Sequence, residues 1–400
     1  MEQSLVHVLL GPGSLALGLL APITSGCGFK VHLVGRPGGG GVPEFKRTLT
    51  AGIDKRSQPF KVAGFHTSAP QVVPYELREA VSNASVVLIT ATTRGEIADR
   101  IEFVHAIVDA SAPGAEVIFV PCENRLAEGH RRLLDQLPAR GVHCLATVVD
   151  RVCRPAEEFT DEAPRHVVAH QHGEWVLERP ARAPAFVALL EQAPEVRFAT
   201  SQRVAAELRR KLLLMNSTHL GIGLLALQKR QVSMSAAAND PDVQPVAIEL
   251  LEEFYELLSA DLDDAENRQF GAHALQIICS FDDDVPRVMS GFRRAALPEF
   301  FNVFKERITT PALRRAAGNA AAPEPFQRIA RALVQVLIDD DGYADLADLA
   351  NGRVDLSTER DRQALAAFRE VLTGWMPAGW IDEQERAVRS ALGSQYAKWL

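Results

Sequence analysis

Five short, mostly apolar runs punctuate the first half of the chain: Leu5–Leu10, Lys30–Val34, Val86–Ala91, Val117–Val120 and Cys144–Val149. Each has the length of a strand buried on both faces, and helical stretches separate them, the alternation that builds a parallel sheet covered by helices. Between the first two runs, Ser14–Ser25 is mostly apolar until Gly26 and Gly28 end it, so strand, helix and strand form a βαβ unit. The stretch Gly35-Arg36-Pro37-Gly38-Gly39-Gly40-Gly41 is too costly to order as regular structure and predicts a mobile surface loop beside the second strand, able to close over a ligand. Beyond about Thr200 the texture becomes helical, in Val204–Leu227, Val246–Leu258, Phe326–Leu337 and Asp361–Leu372. Between the halves, Glu174–Glu178 alternates like one more strand, antiparallel at the sheet edge.

The fold class predicted is therefore α/β: a Rossmann-type doubly wound sheet over residues 1–195, then a mostly α-helical domain over 196–400. A chain of 400 residues agrees with two domains, because single cores stop growing at roughly 250 to 300 residues. An apolar fraction of 47% and a charged fraction of 24% fit an ordinary globular protein. The formal charge of -8 argues against a nucleic-acid surface, so an anionic substrate would have to meet a focused cationic patch. The cysteines Cys27, Cys122, Cys144, Cys153 and Cys279 contain no C-x-x-C pair, which argues against a disulfide framework or structural zinc. With no apolar run of about 18 residues and no basic leader before Leu5, the expectation is a cytoplasmic protein without a membrane partner.

Gly11-Pro12-Gly13-Ser14-Leu15-Ala16-Leu17-Gly18 follows a predicted strand and opens a predicted helix, the setting of a dinucleotide fingerprint. Gly11 would permit the turn, Gly13 would let backbone approach a diphosphate, and Ala16 would take the third, close-packed place, with Gly18 beyond it. An ordinary strand-turn-helix of small residues is the plain alternative. Thr90, Ala91 and Thr92 at the end of the third strand and Glu123 after the fourth are assigned to the same crevice. Arg36, after the second strand, tilts the cofactor from NAD towards NADP by meeting a 2'-phosphate, although it could equally stack on adenine or face solvent.

Lys211, Asn216 and His219 interrupt a strongly apolar helix. At about 100° per residue they share one face within about 140°, so they could converge on a substrate; a snorkelling lysine and a satisfied core histidine are the alternative. Alcohol oxidation needs a base for the hydroxyl proton and donors for the developing alkoxide. Without a metal, Lys211 can be that base if its pKa falls from about 10.4 towards neutrality. Asn216, and Asn124 after the fourth strand, are candidate donors, Asn124 being as readily a turn former. His166, His170 and His172 lack supporting ligands, and counting the loop around Asp339–Gly342 puts Leu337 at the first calcium position, so no metal is predicted.

These residues resemble the polyol-specific long-chain dehydrogenases, most closely the mannitol-1-phosphate 5-dehydrogenase branch. The islands that carry the resemblance are Gly11–Gly18, Cys122-Glu123-Asn124 with Gly129, Val149-Asp150-Arg151-Val152, Glu174-Trp175-Val176, and the K-x4-N-x2-H helix. The resemblance implies Lys211 as general base, Asn124 and Asn216 as the alkoxide hole, His219 on a substrate hydroxyl or the carbonyl, and Asp150 orienting the nicotinamide ribose or the catalytic Asn, supported by Arg151. The usual Asp of the NAD branch is replaced by Gly35-Arg36, and the glycine loop is foreign to the pattern. Of the family's basic segment only a faint echo is present, in Arg287, Phe292, Arg293, Arg307, Pro311, Arg314 and Arg315 without the usual Asn-Pro, and the resemblance makes Arg293 and Arg307 candidate substrate residues. The expected partner is a small polyol, sugar phosphate or cyclitol, with a monomer or homodimer as the assembly. A ketopantoate-reductase-like or opine-type reductase, or a catalytically silent nucleotide sensor, are the competing readings.

Overall fold

The computed structural model describes residues 4–11, 13–35, 45–51, 54–60, 62–67, 72–92, 98–122, 142–155, 165–281, 283–285, 288–289, 297–317, 321–338 and 369–397. The strands are β1 (Leu5–Leu10), β2 (Lys30–Gly35), β3 (Phe45–Ala51), β4 (Asp54–Phe60), β5 (Gly64–Thr67), β6 (Val86–Ala91), β7 (Glu116–Pro121), β8 (Val142–Cys144), β9 (Thr147–Asp150), β10 (Cys153–Pro155), β11 (Arg165–His170), β12 (Glu174–Glu178) and β13 (Val196–Ala199). The chain divides into two compact units, Met1–Arg209 and Arg210–Leu400.

In the first unit a six-stranded sheet runs β5-β2-β1-β6-β7-β8 with every pairing parallel. This is the doubly wound order, which reverses between β1 and β6 and so opens a crevice beyond their carboxyl ends. Alternate residues of β1 feed two cores. Leu5 and Leu9 pack with Leu17, Leu20, Ile23, Trp175 and Phe186, while Val6, Val8 and Leu10 pack with Leu77, Val81, Phe103 and Ile107. Burial on both faces explains why these strands read as unbroken apolar runs.

The run Cys144–Val149 is not one strand. β8 ends the parallel sheet, and after Leu145 and Ala146 the chain enters β9 of a separate sheet ordered β13-β12-β9. The break is pinned by Glu178, whose carboxylate accepts from the Ala146 N–H at 3.0 Å. Glu174–Glu178 is a strand, but it is the middle strand of this second sheet, antiparallel to β9 and parallel to β13, rather than an edge of the first. Trp175 supplies the reason: it is fully buried and its indole N–H donates to the Thr147 hydroxyl at 2.9 Å, which only a β9–β12 pairing allows.

A third sheet, β10-β11-β3-β4, has no counterpart among the predicted strands. Its β3 and β4 fall where the sequence carries Lys46-Arg47-Thr48 and Asp54-Lys55-Arg56, too polar to signal a buried strand. Gly35 closes β2, and the glycine run 36–41 lies outside the described residues.

The described residues of the second unit are almost wholly helical, in Thr218–Gln228, Met234–Ala238, Gln244–Leu258, Asp264–Ser280, Leu297–Phe304, Thr310–Ala316, Glu324–Ile338 and Ala378–Ala397. Thr218–Gln228 is apolar all round and buried from Leu220 to Leu227, as a helix threading a core must be. Phe254 meets Phe326 edge-on at 5.7 Å beside it. Asp263 caps Asp264–Ser280 by accepting from the Glu266 N–H at 3.1 Å. Of the predicted helix 361–372, only the part from Arg369 lies within the described residues, and it is helical. No helix among the described residues is long and apolar enough to cross a membrane.

Candidate functional site

The glycine turn sits where the strand order reverses. Gly11 has φ +84°, a left-handed conformation that side chains resist. Its N–H donates to the Val34 carbonyl at 3.0 Å, the Leu10 carbonyl accepts from the Thr92 N–H at 2.9 Å, and the Thr92 hydroxyl donates to the Gly11 carbonyl. The turn is thereby fixed to the carboxyl ends of both β2 and β6. Gly13 is exposed, and a Cβ there would meet nothing within 4 Å, so its outer side is open to a ligand. A π turn, Ala16–Leu20, then leads into the α-helix Ala21–Gly26. Gly18 is needed for contact: a Cβ on it would lie 2.5 Å from the Cys153 sulfur.

Thr90, Ala91 and Thr92 play different parts. Thr90 and Ala91 are buried, and only Thr92 reaches the turn. The Thr90 hydroxyl lies 2.8 Å from His7 Nε2, and His7 Nδ1 lies 2.7 Å from the Thr24 hydroxyl. Because Thr24 gives its proton to the Leu20 carbonyl at 3.0 Å, it accepts from His7 Nδ1–H, which leaves Nε2 to accept from Thr90. Complete burial, with His32 nearby as a lesser cause, pulls the His7 pKa down to about 3, so a neutral ring ties β6 through β1 to the helix behind the turn. A histidine inside an apolar strand run was the signal available for this contact.

Asp150 ends β9 half-buried, opposite Glu174 of β12. Arg151 is buried and donates to the Gly18 carbonyl at 3.0 Å and to the Gln171 carbonyl at 3.1 Å. Gly173 makes room for it, since a Cβ there would come within 2.0 Å of the Arg151 Nε. The V-D-R and E-W-V islands are thus one structural unit. Arg47 of β3, which the sequence did not single out, also donates to the Gly18 carbonyl, at 3.2 Å.

In the second unit Lys211 is buried, and Asn216 and His219 are half-buried. The backbone is not α-helical throughout: after the helix Ser201–Lys211 it widens into a π turn over Leu212–Ser217 before Thr218–Gln228 resumes. The angle computed for a regular helix therefore does not hold. A π turn rotates less per residue than an α-helix, so the angle between Lys211 and Asn216 is smaller than the regular helix gives. Ser217 supports the widened turn by donating to the Leu212 carbonyl at 2.9 Å. Packed on it within the same unit is another π turn, Lys305–Thr309, which carries the buried Arg307. Arg210, also buried, lies 3.7 Å from Glu266 and over the Phe270 ring at 4.6 Å.

Arg36, Glu123, Asn124 and Arg293 lie outside the described residues, as does Asp339–Gly342. His166 meets the Thr48 hydroxyl at 2.8 Å and His170 Nδ1 accepts from the His172 N–H at 3.2 Å. Among the described residues no three His, Cys, Asp or Glu side chains are grouped to hold a metal ion.

No protein-family model and no curated protein sequence matches the chain. Solved structures do. The Pseudomonas fluorescens mannitol 2-dehydrogenase in complex with NAD and D-mannitol matches with a TM-score of 0.58 at 16% identity, over 98% of this chain and 92% of that one. A D-sorbitol dehydrogenase matches with 0.58 at 14%, over 98% and 93%. A ketopantoate reductase from Ralstonia eutropha matches with 0.50 at 19%, over 84% and 100%. At such identities the likeness is one of architecture, and the chain has a Rossmann-type fold with a helical C-terminal region like that of the polyol dehydrogenases.

Proposed function

We propose that this protein is an NAD(P)-dependent oxidoreductase that interconverts a secondary alcohol and a ketone on a polyol or on a sugar or cyclitol phosphate, without a metal ion. The observation that carries the reading is the π turn Leu212–Ser217, which follows the buried Lys211 and contains Asn216. Both side chains are polar in an otherwise apolar segment, and a widened turn reduces the angle between them. The left-handed Gly11 and the open side of Gly13 fit a dinucleotide diphosphate at the switch point. In this reading residues 1–195 hold the cofactor and residues 196–400 carry the base.

Bound nicotinamide would accept the hydride. Lys211 takes the hydroxyl proton on its Nζ, and the carboxamides of Asn216 and Asn124 donate to the alkoxide oxygen. His219 hydrogen-bonds a substrate hydroxyl or the carbonyl, and Asp150 orients the ribose or the catalytic Asn. Glu123 and Thr92 line the nucleotide crevice, and Arg36 meets the 2'-phosphate of NADP. Arg307, on the π turn packed against Leu212–Ser217, with Arg293 as a further cation, would attract an anionic substrate despite the chain's charge of -8; the buried Arg151 instead gives its guanidinium to the Gly18 and Gln171 carbonyls. The protein would act in the cytoplasm as a monomer or homodimer.

The test is oxidation of NADPH and NADH with fructose 6-phosphate, fructose and a panel of cyclic ketoses. Turnover of a phosphorylated ketose supports the full reading. Turnover of 2-keto acids alone would instead favour a ketopantoate-reductase-type enzyme, whose architecture the Ralstonia eutropha structure matches over its whole length. Binding without turnover on any substrate would leave a nucleotide sensor.

A further inference from the structure

The helix Ser201–Lys211 buries Val204, Glu207, Leu208 and Lys211, which are spaced three and four apart and so form its inward stripe. Two of these places, where apolar side chains would serve, hold ionisable groups. Lys211 is the base of the proposed function, whereas Glu207, one turn before it, has no part in that chemistry.

Glu207 is only 2% exposed, yet both of its carboxylate oxygens are matched. Oε2 accepts from Arg197 Nη2, and Oε1 accepts from Arg203 Nε at 2.6 Å. Arg203 lies four residues earlier on the same helix, whereas Arg197 stands on β13 and donates through its Nε to Glu174 of β12 at 2.9 Å. The pairing of Val176 with Arg197 and of Glu174 with Asp150 puts Asp150, Glu174 and Arg197 on one face of the β13-β12-β9 sheet. Arg197 therefore joins that sheet to the helix, held between two carboxylates. Burial opposes its charge, but the hydrogen bond to Glu207 and the nearby Glu174 keep its pKa above the ordinary arginine value. Stability alone is a poor account of this arrangement, because an apolar side chain of similar volume often stabilises such a place as well as a buried ion pair does. What the pair adds is direction. Apolar contact is non-directional, so Val204 and Leu208 fix the rotation of the helix less sharply than a carboxylate that must meet a guanidinium on another strand.

We propose that Glu207 is a positioning residue for Lys211: gripped by Arg197, it sets the rotation of the helix about its axis and hence the direction in which the lysine side chain leaves it. At a radius of about 5 Å, a rotation of about 20° moves a side chain by about 2 Å. Misplacement of about 1 Å can lower a rate a hundredfold. That Lys211 is the base rests on the proposed function; that Glu207 fixes the helix does not.

The experiment compares the full chain with Glu207→Met, Arg197→Gln and Arg197→Lys. Turnover of the ketose that the substrate panel identifies, NADPH affinity, thermal midpoint and hydrogen exchange of the peptide 204–217 are measured for each. Glu207→Met and Arg197→Gln should lower kcat by about tenfold or more, with KM and NADPH affinity within about twofold of the parent. Arg197→Lys should recover part of the loss, and Glu207→Met combined with Arg197→Gln should fall no further than either alone. A glutamate that merely stabilised the fold would lower the thermal midpoint and leave kcat unchanged at temperatures below it. That result, or losses that multiply in the double variant, overturns the proposal. Should Glu207→Met not fold, the two variants at the half-exposed Arg197 decide by the same comparison. Exchange tests the geometry without catalysis: across 212–217 it should quicken by about tenfold in Glu207→Met and Arg197→Gln, and unchanged exchange overturns the fixing of the helix. Full turnover in Lys211→Ala would overturn the proposed base instead, whereas an inactive Lys211→Ala beside a fully active Glu207→Met would overturn the positioning alone.

Discussion

His7 offers a direct test of the polar contact built beneath the glycine turn. It is fully buried, and its pKa is held at about 3 against 6.5 for an unperturbed side chain. A depressed histidine pKa means that the folded state binds fewer protons than the unfolded state between those values. Stability is therefore intact above the unfolded pKa of 6.5 and falls as pH drops towards 3. At 1.36 kcal/mol per unit, lowering the pH from 7 to 5 removes about 2 kcal/mol through His7 alone. Glutamine in its place does not titrate, yet can donate to Thr24 and accept from Thr90 as the neutral ring does. Urea unfolding of the protein and of His7→Gln, followed by circular dichroism at pH 7, 6 and 5, isolates this contribution, because His32, held at about 4 by burial first and His66 next, titrates equally in both. The variant should gain about 2 kcal/mol relative to the parent across that range, whatever its stability at pH 7. Parallel pH profiles would show that His7 is protonated inside the fold and would refute the hydrogen-bond assignment.

Gly18→Ala should destabilise the first unit by about 1 to 3 kcal/mol, and Cys153→Ala should relieve much of that in the double variant, because the sulfur is the nearest obstacle at 2.5 Å. Purely additive denaturation midpoints would contradict this. Lys211→Ala should lower turnover by a factor of about a hundred or more while dinucleotide affinity, measured by fluorescence, is retained; unchanged turnover would remove the assigned base. Arg36→Ala should weaken NADPH binding by about tenfold or more and leave NADH nearly untouched, and equal losses for both would exclude a 2'-phosphate contact.

What the sequence showed plainly was what burial on both faces dictates. β1, β2, β6 and β7 are covered on both sides and read as apolar runs, and the glycine turn was recognisable because it joins such a strand to a helix. The third sheet was illegible because β3 spends an inward position on Arg47, whose charged head finds the Gly18 carbonyl only after folding. The β8–β9 break was hidden for a related reason: Ala146 turns the chain because Glu178, far along the sequence, waits to accept its N–H. Lys211, Asn216 and His219 stand out as polar residues in an apolar helix, but the regular helical period does not give their relation. Nothing in Leu212-Leu213-Leu214-Met215 announces a widened turn.

Those widened turns coincide with the segments on which the proposed function relies. Among the described residues, π turns occur at Ala16–Leu20, Leu212–Ser217 and Lys305–Thr309. The first follows Gly13 and contains Gly18, the second begins after Lys211 and contains Asn216, and the third contains Arg307. A π turn sacrifices regular helical hydrogen bonding and is rare outside positions where it is useful. Random placement along so much helix would seldom put each one on a segment that the residue chemistry had already singled out. The more economical explanation is that each widening serves its segment: the first lets Gly18 press against the third sheet, and the other two pack the arginine-bearing turn against the turn that contains Asn216 within the second unit.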